Sequence, residues 1–123
     1  TPFDFTVPKA IGADIAQVPG GYDHSWEISG APGELRPVAG AYDPVSGRAL
    51  TVHSTLPGVQ LYCPDSFDER GGKLGMWYGP NSGFCLETQF YPDSPNRSEF
   101  PETVIRPGER YRHRTVWHFD FDA

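Results

Sequence analysis

The chain has 123 residues, of which 37% are apolar and 14% aromatic, and a formal net charge of −6 at pH 7. That length suits one domain, and no apolar run approaches a membrane span. The acidic balance, with no basic stripe, weighs against nucleic acid and anionic membrane surfaces as partners.

Thirteen prolines and fourteen glycines beside so many aromatics read as an all-β protein with short strands and long loops, not as a disordered chain. No segment reads as a signal peptide. The chain opens on Thr1 with no initiator Met, so a processed or partial chain stays open. Residues 1 to about 17 predict a loop with a short helical turn, broken by Pro2 and Pro8 and anchored by Ile11, Ile15 and Val18. Next comes Pro19-Gly20-Gly21-Tyr22-Asp23-His24. A glycine pair marks an unusual backbone path. Asp23 and His24 beside it could meet a polar ligand, or form a plain turn with a surface histidine.

Strand signals start at Leu35. A strand to Tyr42, the turn cluster Asp43-Pro44-Val45-Ser46-Gly47 and a return along 48–55 predict a hairpin. After Pro57-Gly58, residues 59–63 predict another strand, with Gln60 and Tyr62 on one face and Val59, Leu61 and Cys63 on the other. Residues 64–82 read as a long loop ending in Trp77 and Tyr78, which could stack on a sugar but are read first as core cover. The run Gly83-Phe84-Cys85-Leu86-Glu87-Thr88-Gln89 predicts a strand with Phe84, Leu86 and Thr88 on one face and Glu87 on the other. On pattern alone Glu87 reads most simply as a solvated surface residue. The last strand is expected over 110–121, with Arg110, Arg112 and Arg114 on one face and Tyr111, His113, Thr115, Trp117, Phe119 and Phe121 on the other. Cys63 and Cys85 are read as free thiols, and a cytoplasmic location is expected, an extracytoplasmic one staying open.

His24, His53, His113 and His118 are scattered, with no ligand pair at helical spacing, so no metal site is expected. No phosphate loop and no nucleophile elbow is present. Asp23, Gln60 and Glu87 remain as groups suited to a hydroxyl-rich ligand.

Several phrases, in order, resemble the C-terminal part of the galactose mutarotases, the aldose 1-epimerases. They are Thr1-Pro2-Phe3-Asp4-Phe5, Gly21-Tyr22-Asp23-His24, Pro57-Gly58-Val59-Gln60-Leu61-Tyr62, the Gly83–Gln89 run and Arg106-Pro107-Gly108-Glu109-Arg110-Tyr111. They run over nearly all of residues 1–123. The resemblance implies part of a large antiparallel β-sandwich, the galactose mutarotase-like supersandwich, with a sugar cleft on one sheet face. It implies interconversion of the α and β anomers of an aldohexose such as galactose or glucose, with no cofactor. In it, Glu87 matches the catalytic base, and Asp23 and Gln60 match groups that bind sugar hydroxyls.

The family's general acid is a histidine in an Asn-His-Thr-like phrase upstream of Thr-Pro-Phe-Asp-Phe. None of the four histidines here stands in such a phrase. The chain is therefore expected to carry the base without the acid. It would then need a complementary N-terminal chain or self-association, or else serve as a non-catalytic carbohydrate-binding β module. Glycoside hydrolysis by paired carboxylates ranks below both.

Overall fold

The computed structural model describes residues 1–31 and 33–121. Six strands form: β1 (Asp23–Glu27), β2 (Arg36–Asp43), β3 (Arg48–Ser54), β4 (Gly58–Tyr62), β5 (Cys85–Gln89) and β6 (Thr115–Phe121). Helix is confined to three-residue 3-10 turns. The strands make two three-stranded sheets, ordered β1-β4-β5 and β2-β3-β6. The chain divides into two compact units, one of Thr1–His24 with Leu61–Cys85, the other of Ser25–Gln60 with Leu86–Ala123.

In the first unit the opening segment packs on Tyr22, whose side chain is fully buried. Its ring meets Phe3 and Phe5 edge-on, with centroids 6.2 and 5.4 Å away. Its hydroxyl donates to the Pro2 carbonyl at 2.8 Å. Burial pushes that phenol up from its ordinary pKa. Lys9 closes the other side, donating from Nζ to Pro2 O and Asp14 Oδ2 while standing 4.5 Å over the Phe5 ring. The expected helical turn is two 3-10 turns, Ile11–Ala13 and Ile15–Gln17, and Val18 reaches the core. Gly20 and Gly21 then both take positive φ, +83° and +78°. The turn they make delivers Tyr22 to the core and Asp23 to solvent, where β1 begins.

The second unit is built on the expected hairpin. β2 and β3 pair antiparallel from Asp43↔Arg48 to Arg36↔Ser54, with one irregularity between Pro37 and Ala39. Proline has no N–H to give a ladder, so a break there is natural. Asp43 organises the turn. Its carboxylate accepts from Ser46 Oγ at 2.5 Å and from the Val45 and Ser46 amides. Those bonds, the Ser46 hydroxyl first, hold the Asp43 carboxyl below its usual pKa. A lowered folded pKa means the turn's hold is full above the ordinary carboxylate range and fades as pH falls through it.

β6 pairs with β3 from Arg48↔Phe121 to Ser54↔Thr115. A chain of hydroxyls links this sheet to β5. Ser54 Oγ lies 3.2 Å from Thr115 Oγ1, which lies 2.7 Å from Thr88 Oγ1. Thr88 is therefore tied inward while its neighbour Glu87 faces outward. Arg36 is buried beside this sheet and donates to four main-chain carbonyls, those of Ser29, Glu34, Ser54 and Ile28.

Three expectations are corrected. β1 forms where a loop was read: His24 and Trp26 turn inward and alternate with exposed Asp23, Ser25 and Glu27, and β4 lies beside it. The last strand starts at Thr115 and not at Arg110. The alternation over 110–114 is not met by a strand; the Arg114 main chain and the His113 ring bond to Thr55, and that ring also packs on Phe90 and Tyr111. The three arginines therefore share no strand face. Trp77 does not cover the core; it is 56% exposed. Both cysteines are free thiols, Cys63 buried and Cys85 exposed.

Two stability outcomes follow. A Cβ on Gly21 would sit 2.6 Å from the Cys63 carbonyl oxygen, whereas one on Gly20 meets nothing within 4 Å. Gly21→Ala is expected to cost about 3 kcal/mol and Gly20→Ala about 1 kcal/mol in urea unfolding; equal costs would contradict the close approach. Arg36→Ala strands four carbonyls and is expected to cost about 3 kcal/mol; a loss below about 0.5 kcal/mol would mean that water replaces the guanidinium freely.

Candidate functional site

The residues singled out in the sequence lie on the three strands of the β1-β4-β5 sheet. Gln60 and Glu87 belong to the second unit and sit on neighbouring strands, whose axes run about 4.8 Å apart. Gln60 is half-buried on β4, between the buried Val59 and Leu61. Glu87 is exposed at the centre of β5, between Leu86 and Thr88, both half-buried. A strand is a stiff mount for an acid–base group, and the Thr88–Thr115 bond stiffens it one residue away. A carboxylate held outward between two inward side chains is free to reach a bound molecule.

Tyr91 stands just past β5 and was not singled out in the sequence. Its ring lies 3.2 Å from where a Gly58 Cβ would be, and it meets Phe100 edge-on at 5.1 Å. Burial first, and then the Glu27 carboxylate, push its phenol up from the ordinary pKa. Gly58 is therefore the space that admits this ring, and only the Pro57-Gly58 pair in the sequence hints at it.

Asp23 belongs to the first unit. It is exposed and opens β1. Its backbone N–H donates to Nδ1 of His24 at 3.0 Å, and the His24 ring leans on Phe3 with centroids 4.7 Å apart. Elsewhere in this unit, the loop from Pro64 is an ordered hairpin, not free coil. Glu69 and Tyr78 exchange main-chain bonds of 2.9 and 2.8 Å, and the Lys73–Gly75 turn closes it with Leu74 at φ +58°. Trp77 is pinned there by Nε1 donating to Asp68 at 2.5 Å, with Arg70 at 5.8 Å from the ring.

Among the described residues no cluster of three or more His, Cys, Asp or Glu could hold a metal ion. No helix there is long and apolar enough to cross a membrane. Clefts of about 450 and 550 Å3 open in the second unit, lined respectively by residues such as Phe90, Thr103 and Tyr111, and Arg48, Phe119 and Phe121. Neither includes Gln60 or Glu87. The surface at Glu87 is open, so burial alone would not have marked it.

Comparison with known proteins gives these features a setting. A galactose mutarotase of Bos taurus is 40% identical over 121 residues, covering 97% of this chain and 35% of the relative. The galactose mutarotase of Homo sapiens matches to the same extent. The aldose 1-epimerase of Escherichia coli is 29% identical over 126 residues, again covering 97% of this chain and 36% of the relative. The chain thus spans about a third of the length of these proteins. A crystal structure of a GalM/aldose epimerase homologue from C. elegans superposes with a TM-score of 0.84 at 27% identity, over 98% of this chain and 37% of that one. The all-β architecture is of the galactose mutarotase kind. The aldose 1-epimerase family model matches residues 1–118, and the chain belongs to that family.

Proposed function

We propose that this chain supplies the base and two sugar-binding groups of an aldose 1-epimerase, a mutarotase that interconverts the α and β anomers of an aldohexose such as galactose or glucose. The observation that carries the reading is the mounting of Glu87: a solvent-facing carboxylate at the centre of a strand, one strand from Gln60, in a chain of this family. The 123 residues are read as the C-terminal portion of the family's domain.

Opening a hemiacetal ring takes a proton from the C1 hydroxyl and delivers one to the ring oxygen. The C1–O5 bond breaks, and C1 becomes an aldehyde. Rotation about C1–C2 turns the other carbonyl face to the C5 hydroxyl, and closure gives the other anomer. A base and an acid must stand on opposite sides of the anomeric carbon. Glu87 takes the C1 hydroxyl proton. Asp23 and Gln60 hold ring hydroxyls and so fix the pyranose for transfer. No metal or organic cofactor enters these steps. The acid is a histidine that His24, His53, His113 and His118 do not provide, since none stands in the family's acid phrase. It comes from the part of the family's length that this chain does not span. The exposed row Trp117, Phe119 and Phe121 on β6 fits a surface that meets further protein, either that part or a second copy. A cytoplasmic location belongs to the same reading.

One observation favours a second reading, a carbohydrate-binding β module without turnover. Trp77 is an exposed indole held in place by its own hydrogen bond, which is how sugar-stacking rings are presented.

Polarimetry on freshly dissolved α-D-galactose separates the readings, using the protein as its cell makes it. Glu87→Gln is expected to slow mutarotation about a thousandfold while calorimetry finds galactose bound within about threefold of wild type. Near-normal mutarotation by this variant would remove Glu87 from the chemistry. Binding with no acceleration by the unaltered protein would favour the module. Asp23→Ala is expected to raise KM about tenfold or more, since it removes a charged hydrogen-bond partner of the sugar; an unchanged KM would remove Asp23 from the sugar site.

A further inference from the structure

Asp23 follows two glycines at positive φ, the most permissive backbone available. It also opens β1, which lies at one end of its strand order. On an edge strand alternate residues turn their main-chain groups away from the ladder. Tyr22 and Ile28 show which set faces β4: the Tyr22 carbonyl accepts the Cys63 amide at 2.7 Å, and the Ile28 amide donates to the Pro57 carbonyl at 2.9 Å. Alternation therefore turns the Asp23 N–H outward, away from β4.

The side chain of the next residue meets it there. Nδ1 of His24 accepts the Asp23 N–H at 3.0 Å. An acceptor nitrogen carries no proton, so the ring hydrogen is on Nε2 in this arrangement. The ring is itself held, leaning at 49° on Phe3 with centroids 4.7 Å apart. Phe3 in turn packs on buried Tyr22. Tyr22 and His24 thus face the opening segment together, and Asp23, between them, points the other way.

We propose that His24 is a positioning residue for sugar binding: its Nδ1 fixes the Asp23 amide at the outer edge of β1, and thereby the direction of the Asp23 carboxylate. It acts through Asp23 and not on the sugar. The inference rests on the reading of Asp23 as a sugar-binding group.

The chemistry of the acceptor gives a sharp test. Oδ1 of asparagine lies the same number of bonds from the backbone as Nδ1 of histidine, whereas the carbonyl oxygen of glutamine lies where Nε2 would be. His24→Asn keeps an acceptor in place, while His24→Gln and His24→Ala do not, and all three lose the ring on Phe3. In the protein as its cell makes it, D-galactose affinity by calorimetry is expected to stay within about twofold of wild type for His24→Asn and to weaken about fivefold or more for His24→Gln and His24→Ala. NMR hydrogen exchange of the Asp23 amide is expected to follow the same division, slow in wild type and His24→Asn, faster in the other two. Equal weakening in all three would assign the role to ring packing on Phe3 and overturn the proposal. Unchanged affinity in all three would overturn it as well. If the unaltered protein binds no galactose, the functional reading fails on its own; an Asp23 amide that exchanges equally in every variant removes the anchor whatever the function.

Discussion

The first unit depends on the burial of Tyr22. A tyrosine with no exposed surface must place its hydroxyl on an acceptor, and the Pro2 carbonyl supplies one. That bond ties the opening phrase Thr1-Pro2-Phe3-Asp4-Phe5, which has no regular structure, to the core. Phe3 and Phe5 close on the ring, and Lys9 ties Pro2 and Asp14 behind them. Burying Tyr22 also sets the chain direction on either side of it. The glycine pair before it must turn with positive φ, close against the Cys63 carbonyl, and Asp23 after it must face solvent. One core side chain thus sets which side of β1 a candidate sugar-binding carboxylate stands on.

The second unit reaches a similar end by polar means. Two bonded groups stand out there: the Arg36 guanidinium on four carbonyls, and Ser54, Thr115 and Thr88 in one hydroxyl chain. Bonded networks of this kind are costly to break and so favour one arrangement. Glu87 stands one residue from the end of that chain, on a strand whose alternate side chains are fastened inward. Rigidity behind the carboxylate and openness in front of it suit a group that must meet a proton at a fixed place.

Much of this was legible in the sequence, and the reasons differ from element to element. The β2–β3 hairpin was visible because its turn chemistry is local: Asp43 and Ser46 bond within four residues of each other. β4 and β5 were visible because each has an inward and an outward face, buried against open in β4 and half-buried against exposed at Glu87 in β5. β1 was hidden, since its order comes from β4, distant in sequence, and its Asp-His start is what a turn also looks like. The stretch 110–114 misled for another reason: its alternation meets no strand, only bonds to Thr55 past the end of β3 and ring contacts at His113. Trp77 misled because an indole near a loop's end reads as core, when its Nε1 is in fact satisfied at the surface by Asp68. Pattern alone could rank Asp23, Gln60 and Glu87 no higher than ordinary polar residues. Their selection came from the phrases around them. His24 carried a weak mark in the sequence, but its link to the Asp23 amide appears only in three dimensions.

The central claim is that Glu87 faces the anomeric carbon of a bound sugar. A crystal structure of the protein as its cell makes it, soaked with D-galactose, tests that most directly. The account predicts a pyranose with its C1 hydroxyl about 2.8 Å from a Glu87 carboxylate oxygen, and ring hydroxyls bonded to Asp23 and Gln60. A sugar bound with C1 away from Glu87, or seated on Trp77 alone, would contradict it.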